Sequence, residues 1–322
     1  MAAPTFPRWV ADIGGTNARF AWQADAQAAL SDLATYATAD YPTLQDAMRR
    51  YLSDQGKTVP PWCAMGIATP IGGDLIQMTN HPWSFSVEGL RRELGLERLL
   101  FINDFTALAL SLPSLVPSEL RQVGSGQAVA GAPLGLIGPG TGLGVSGLLT
   151  SAAGRLVPIV GEGGHVTLGG TSSLEDAVIA ALRTRFGHVS AERALSGPGL
   201  VNLYSALCLV EGTSAKQLTP AEVTKWALAG SDTRCVATVD LFFSLLGTVA
   251  GNLAVTLGAR GGLYIGGGIV PRLGDWIDRS SFRERFAGKG RFRNYLQALP
   301  TYVLLSTTSP ALVGALRALD DL

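Results

Sequence analysis

The feature that most narrows what this chain can fold into is a pattern that occurs twice: an apolar strand, a glycine/threonine turn and a returning strand. Trp9 to Ile13 predicts a strand, Gly14-Gly15-Thr16-Asn17 turns the chain, and Ala18 to Trp22 predicts the return. Leu134 to Gly138, the turn Pro139-Gly140-Thr141-Gly142-Leu143-Gly144 and Val145 to Leu149 repeat the form in the second third. A turn of small residues exposes successive backbone N–H groups, a nest suited to anionic oxygens. Either turn alone is equally an ordinary hairpin. Two of them, in two halves, suggest a phosphate chain gripped from both sides. Asp12 stands beside the first turn, where it would repel a bare phosphate. A cation such as Mg²⁺ between them, bound directly or through water, removes that conflict.

The stretch LLFINDFTALAL, Leu99 to Leu110, carries the chemistry. Leu99 to Ile102 is a short continuous apolar run, as expected of a strand buried on both faces of a parallel sheet. Asn103 and Asp104 follow at its carboxyl end, and Phe105 to Leu110 reads as the start of a helix. In open α/β sheets, ligands collect outside the carboxyl ends of the strands. A carboxylate there, walled by Ile102 and Phe105, is placed to act as a general base toward a bound hydroxyl. The alternative for Asp104 is an N-cap.

Other stretches resolve into motifs or near-motifs. Thr43 to Asp54 predicts an amphipathic helix, and the Gln55-Gly56-Lys57-Thr58 that follows imitates a P-loop tail but has Tyr51 where the first glycine must stand. Ala64 to Ala68 predicts another strand, and Thr79-Asn80-His81-Pro82-Trp83 a polar, aromatic loop. Gly142, Gly144 and Gly147 match G-x-G-x-x-G, yet a strand follows them rather than a helix, which excludes a dinucleotide fold. Gly161-Glu162-Gly163-Gly164-His165 offers a carboxylate and an imidazole on what reads as flexible backbone. Gly262 to Ile265 predicts a strand running into Gly266-Gly267-Gly268, a flat floor for a base or sugar, and Pro310 to Leu319 a short amphipathic helix.

Composition sets the outer bounds. Glycine takes 40 of 322 positions, against a usual share of ~7%, and it clusters without period, as loops do where backbone must approach something closely. Lys plus Arg and Asp plus Glu are each 25, so the formal charge is zero, which argues against nucleic acid as the main partner, because phosphate neutralisation needs a basic surface. The basic run Arg283 to Arg293 is expected to be a solvated helix face. Cys63, Cys208 and Cys235 are odd in number and far apart, which supports neither a zinc site nor a disulfide framework. Leu241 to Ala259 is the nearest approach to a membrane span, but Asp240, Asn252, Gly247, Gly251 and Gly258 flank or punctuate it, so a buried helix is expected. With no apolar segment before Asp12 to serve as a leader, a cytoplasmic protein is expected.

Taken together, these stretches resemble the bacterial glucokinases of the group without the zinc motif of the repressor family. The resemblance rests on Asp12–Arg19 (DIGGTNAR), Met78–Ser86 (MTNHPWSFS), Ile102–Ala107 (INDFTA), Gly138–Val145 (GPGTGLGV) and Gly161–Val166 (GEGGHV). His188–Tyr204 (HVSAERALSGPGLVNLY), Gly267–Arg272 (GGIVPR) and Lys289–Phe292 (KGRF) extend it to nearly the whole chain. No cysteine occurs in Val166 to Gly170, where the repressor/kinase relatives place their zinc segment.

The resemblance implies the actin-like ATPase (ribonuclease H-like) fold: two α/β domains, each on a mixed five-stranded sheet, with a cleft between them. Residues 1–115 plus 308–322 would form the small domain and 116–307 the large one. It implies a homodimer and the ATP-dependent phosphorylation of D-glucose at its 6-hydroxyl. By position, Asp104 is the catalytic base, and Asn103, Asp104, Glu162, His165 and Glu192 are sugar ligands. Asp12 with Gly14, Gly15, Thr16 and Asn17, together with Gly140, Thr141 and Gly142, would bind Mg²⁺ and the ATP phosphates. Gly267 would lie on the nucleotide. A kinase for another hexose or an amino sugar would use the same chain. A sugar-sensing regulator would need a helix-turn-helix, for which the sequence before Asp12 leaves no room.

Overall fold

In the computed structural model, residues 5–79, 81–305 and 309–321 are described. Asn80 of the Thr79–Trp83 loop lies outside them. The chain divides into two compact units, one of Met1–Val116, Ser151–Val160 and Ser306–Leu322, the other of Pro117–Thr150 and Gly161–Leu305.

The first unit begins with β1 (Arg8–Ile13), β2 (Asn17–Gln23) and β3 (Ser31–Ala37), then α1 (Leu44–Asp54) and β4 (Trp62–Ile67). A small ribbon of β5 (Leu75–Gln77) and β6 (Ser84–Ser86) leads to α2 (Val87–Leu94), β7 (Arg98–Asn103) and α3 (Asp104–Ser111). The sheet order is β3-β2-β1-β4-β7. β1 pairs antiparallel with β2 and parallel with β4, and β4 pairs parallel with β7. The side chains of β1 alternate between two cores, as strand geometry requires. Trp9, Ala11 and Ile13 join Met48 and Tyr51 of α1, whereas Val10 joins Leu312, Ala315 and Leu319 on the opposite face.

The second unit holds β8 (Leu120–Val123), β9 (Leu134–Pro139) and β10 (Leu143–Thr150). β11 (Leu156–Ile159) falls in the Ser151–Val160 excursion that groups with the first unit, where it packs against α3; the sequence reading leaves that excursion with the middle of the chain. The second unit continues with α4 (Ser173–Phe186), α5 (Gly197–Val210), α6 (Pro220–Leu228), α7 (Thr233–Leu257) and β12 (Gly262–Ile265). Four short helices, α8 (Ile269–Arg272), α9 (Trp276–Arg279), α10 (Phe282–Ala287) and α11 (Arg293–Gln297), precede β13 (Thr301–Leu304). The strands of this unit run in the order β10-β9-β12-β13-β8. As in the first unit, a hairpin (β9–β10) pairs in parallel with a second strand (β12), which pairs in parallel with a third (β13).

The apolar run near Leu241 to Ala259 is part of α7, the core helix of this unit. Its most apolar window has a mean hydropathy of 1.5 and is 67% buried within the fold, with Phe242, Phe243, Leu245 and Leu246 fully covered. Gly247 and Gly251 do more than punctuate it: a Cβ on either would strike the carbonyl of Phe282 or Phe286, so they let α10 lie directly on α7.

That packing overturns the expectation for Arg283 to Arg293. The run breaks into α10, a turn and α11 rather than one solvated helix, because Phe282 and Phe286 are buried against α7. Arg285 then meets the carboxylate of Glu175, which is only 2% exposed and also accepts from Thr171 N (2.7 Å) and Ser244 Oγ (2.8 Å). Arg283 donates to Thr301 Oγ1 at 3.3 Å and to the carbonyls of Ser125 and Leu299.

The last helix, α12 (Pro310–Asp321), returns to the first unit. Arg8, itself 2% exposed, holds Asp320 at 2.7 Å, and Arg98 donates to the Leu319 carbonyl at 2.9 Å, a cation on the free carbonyls of a helix end. Where α12 crosses α3, a Cβ at Gly314 would collide with the carbonyl of Ala107. Gly314→Ala therefore overpacks a backbone contact, a change that typically costs about 1–3 kcal/mol. At about 2–4 °C per kcal/mol in a domain of this size, thermal melting should begin several degrees lower. An unshifted melt would place α12 further from α3.

Candidate active site

In the first unit, the parallel register aligns the carboxyl ends of three strands: Asp12 pairs with Gly66, and Ile67 pairs with Asn103. Asp12 and the Asn103–Asp104 pair therefore share one edge of the sheet. Asn103 is the N-cap of α3. Its Oδ1 accepts from Phe105 N at 2.9 Å and Thr106 N at 3.2 Å. This decides the alternative for Asp104, which is the first helical residue and not the cap. One Asp104 oxygen accepts from Phe105 N at 2.9 Å.

Burial raises the Asp104 carboxyl to about 6, the Asp12 charge adds to the rise, and the Phe105 N–H opposes it. A carboxylate with that affinity for a proton is poised near neutral pH, as a general base should be. Asn103, expected only as a sugar ligand, has its side-chain oxygen engaged by the cap, and its side chain also hydrogen-bonds the Asp104 carboxylate.

Asp12 Oδ2 accepts from Ser309 Oγ at 2.6 Å and from Arg19 Nη1 at 3.2 Å. Sequence reasoning passed over both partners. Arg19 was within reach of it, being the residue directly across the hairpin from Asp12; Ser309 lies 297 positions away and carried no local signal. In the turn, Gly14 N donates to Asn17 O at 2.9 Å, while Thr38 Oγ1 donates to Gly15 O (2.9 Å) and Thr38 N to Thr16 O (3.0 Å). Thr38 thus fixes the peptide planes of the tip. One carboxylate beside such a nest is a fitting donor set for Mg²⁺, which takes one or two carboxylates and completes its shell with water and phosphate oxygens. Among the described residues no group of three or more His, Cys, Asp or Glu could form a closed metal cage.

In the second unit, Gly140 N donates to Gly142 O, and Gly197 N, at the start of α5, donates to Gly140 O, both at 2.8 Å. Beside this turn is a cavity of about 500 Å³ lined by Gly140, Thr141, Pro198, Leu200, Thr219, Pro220, Gly268, Ile269 and Arg272, among others. The sequence reading missed most of these. Thr219 opens α6 with a capping box, so it carries an ordinary helix-start signal and no ligand signal. Gly267 is not in the lining. Its φ is +74°, and a Cβ there would strike the Pro139 carbonyl, so it turns the chain tightly over the end of β9. The wall of the cavity comes from Gly268 instead, which replaces the expected floor of three glycines.

Glu162 and His165 are exposed, with His165 N donating to Glu162 O at 3.0 Å. The loop that carries them is not loose. A Cβ on Gly163 would lie 2.6 Å from Val145 Cγ1, and one on Gly164 would collide with Leu143 O, so these glycines allow the loop to lie flat on β10. Glu192 sits on a neighbouring loop joined to the first by Ala191 N→Val166 O and Leu168 N→Val189 O, each 2.9 Å. Its Oε2 accepts from Leu143 N at 2.9 Å. The second unit thus brings Gly140–Gly142, Glu162, His165 and Glu192 onto one block around the start of β10.

Two α/β units, each with a turn-bearing hairpin set on parallel strands, make up the actin-like ATPase fold. The family model described as Glucokinase matches residues 9–322. The chain is similar to the glucokinase of Aromatoleum aromaticum, with 52% identity over 318 residues that cover 98% of this chain and 96% of the relative. The crystal structure of a glucokinase from an Antarctic psychrotroph matches with a TM-score of 0.89 and 36% identity, covering 98% of this chain and 99% of that one. A glucokinase from Balamuthia mandrillaris, solved with glucose, shares the fold at a TM-score of 0.80 and 18% identity, over 99% and 95% of the two chains. The chain belongs to the glucokinase family.

The raised Asp104 carboxyl has a consequence for stability. Its affinity for a proton is higher folded (about 6) than at its ordinary value of 3.8, so the folded state binds more protons between those pH values. Stability then falls as pH rises through that window and stays lower above it, by an amount on the order of 3 kcal/mol. Asp104→Asn, which does not titrate, should be more stable than the parent at pH 8 and indistinguishable from it near pH 3.5. Denaturation midpoints measured across pH 3.5–8 test this. Parallel curves for the two proteins would mean that Asp104 has an ordinary carboxyl.

Proposed function

We infer that this protein transfers the γ-phosphoryl group of ATP to the 6-hydroxyl of D-glucose, with Asp104 as the general base. Membership of the glucokinase family supports the reaction. For the mechanism, the observation that carries most weight is Asp104 itself: freed from capping by Asn103, set at the ligand edge of the sheet and raised toward neutral pH. The glucose O6 attacks the γ-phosphorus, the bond from that phosphorus to the β,γ-bridging oxygen breaks, and ADP leaves. The hydroxyl proton passes to the Asp104 carboxylate. Phosphoryl transfer needs little covalent help and depends mainly on positioning and charge stabilisation.

The Gly14–Asn17 and Gly140–Gly142 turns would hold phosphate oxygens with backbone N–H groups. Asp12 would hold Mg²⁺, which when bound neutralises charge on the phosphates. The cavity beside Gly140 and Thr141, with apolar walls from Pro198, Leu200 and Ile269 and the cation of Arg272, suits the adenosine end of ATP. Asn103 and Asp104 would face the 6-hydroxyl end of the sugar, and Glu162, His165 and Glu192 the remaining hydroxyls. A homodimer working in the cytoplasm at the entry of glucose into glycolysis completes this reading, which family membership supports.

In a coupled assay, Asp104→Asn should lower kcat by about 10²–10⁴-fold, the range for loss of a general base, with a much smaller change in the glucose KM. Retention of half the activity would rule out the role. Glu162→Gln removes a charged acceptor worth about 1.5–3 kcal/mol, so the glucose KM should rise by roughly tenfold or more while the ATP KM stays put. Movement of the ATP constant alone would assign Glu162 to the nucleotide.

A further inference from the structure

The loops of the second unit assigned to sugar and the turn assigned to phosphate converge on a single residue, Leu143. Its N–H donates to Glu192 Oε2 at 2.9 Å, and its carbonyl is the atom against which Gly164 of the Glu162–His165 loop is pressed. Gly142, the last residue of the turn, lacks a side chain where Glu192 passes: a Cβ there would lie 2.6 Å from Glu192 Oε2. Glu192 is tied to the turn by a second route. Its carbonyl accepts from Ser196 Oγ at 2.8 Å, Ser196 caps α5 through Gly199 N at 3.0 Å, and Gly197 N donates to Gly140 O at 2.8 Å. The other carboxylate oxygen of Glu192 has no hydrogen-bond partner among the described residues, and the side chain is only half-buried.

We propose that Glu192 couples the two substrates: one carboxylate oxygen takes a sugar hydroxyl while the other holds the Leu143 amide and so positions the Gly140–Gly142 turn. This rests on the reading of Glu192 as a sugar ligand and of the turn as a phosphate site. A glutamate alone on the edge of a loop samples several rotamers. A sugar hydroxyl on one oxygen narrows that set to the one that holds Leu143, so nucleotide meets a turn already in place. Ordering by the first ligand lowers the ordering cost for the second, which is positive cooperativity. By linkage the effect is reciprocal, and coupling of this kind is typically ~5–150-fold in affinity.

The test is calorimetric titration of the intact protein with a non-hydrolysable ATP analogue and Mg²⁺, without and with saturating D-glucose. In the parent, glucose should lower the nucleotide Kd at least fivefold, and nucleotide should lower the glucose Kd by the same factor. Glu192→Ala should weaken glucose binding and bring the coupling factor to within about twofold of one. Gly142→Ala is the second variant. Its methyl displaces the Glu192 carboxylate from Leu143 N, and because the rotamer that holds Leu143 is the one that takes the sugar, glucose affinity should fall together with the coupling. Weakened glucose binding in Glu192→Ala with the parent's coupling intact overturns the proposal alone, as does a coupling factor near one in the parent. An unchanged glucose Kd in Glu192→Ala overturns the sugar-ligand reading and the proposal with it. Retained coupling in Gly142→Ala, folded by its melting curve, also rejects it.

Discussion

Everything in each unit hangs on one register: an antiparallel hairpin whose first strand is also hydrogen-bonded, in parallel, to a second strand. Parallel pairing places carboxyl ends side by side, and loops leaving those ends can therefore meet. In the first unit this brings Asp12 level with Asn103 and Asp104, though 91 positions separate Asp12 from Asn103 in sequence. In the second it brings the Gly140–Gly142 turn beside the chain leaving β12, where Gly267 folds back over β9 and Gly268 faces the cavity. A one-residue slip in either pairing would turn every inward side chain outward. The fully buried residues of β1 and β4, backed by α1 on one face and α12 on the other, prevent it.

The charges of the first unit are arranged against local comfort. Asp104 is placed where burial and Asp12 both disfavour its ionised form, while Asn103, a neutral side chain, takes the capping task that a carboxylate could have performed. An aspartate used as a cap accepts hydrogen bonds from two helix N–H groups, which would depress its proton affinity. With the cap given to Asn103, the hydrogen bonds Asp104 accepts from the Phe105 N–H, its own N–H and the Asn103 side chain are outweighed by burial and the Asp12 charge, and its carboxyl is raised toward neutral pH. Stability is lower for it at neutral pH, and that is a common property of residues whose task is proton transfer.

Glycine serves a different end here from the flexibility its abundance suggests. At Gly314 and Gly164, and along α7 at Gly247 and Gly251, the missing side chain admits a neighbouring backbone at a distance no Cβ would permit. At Gly142 it admits the carboxylate of Glu192. These contacts tighten the structure: the Glu162–His165 loop is held to β10, and α10 is held to α7, by surfaces with no side chain in between. The buried Glu175 belongs to the same scheme. It fastens Thr171, just beyond that loop, to Ser244 of α7 and Arg285 of α10.

What depends on neighbours a few residues apart was legible in the order of the amino acids. The strands at Trp9, Leu99, Leu134 and Gly262 were legible as apolar runs ended by small residues, and the helix after Asn103 as a change of period. The repeated hairpin, the absence of a cysteine cluster and the motifs around Asp12, Asp104 and Glu162 were legible too, and with them the family. Where two groups compete for one place, or distant groups meet, the outcome depends on the folded chain. Asn103 and Asp104 are both good caps by type, and only the path of the chain into α3 settles which one faces the free N–H groups. Nothing local distinguishes Arg285 from a surface arginine until Phe282 and Phe286 turn it toward Glu175, 110 positions away. Likewise Glu192 reads as a lone carboxylate until β10 presents the Leu143 amide 49 positions away. Propensity and periodicity act over a turn or two of chain, whereas hydrogen bonds and close packing act over a few ångströms of space. Most of the cavity wall and half of the Asp12 and Glu192 environments belong to that second kind of neighbour.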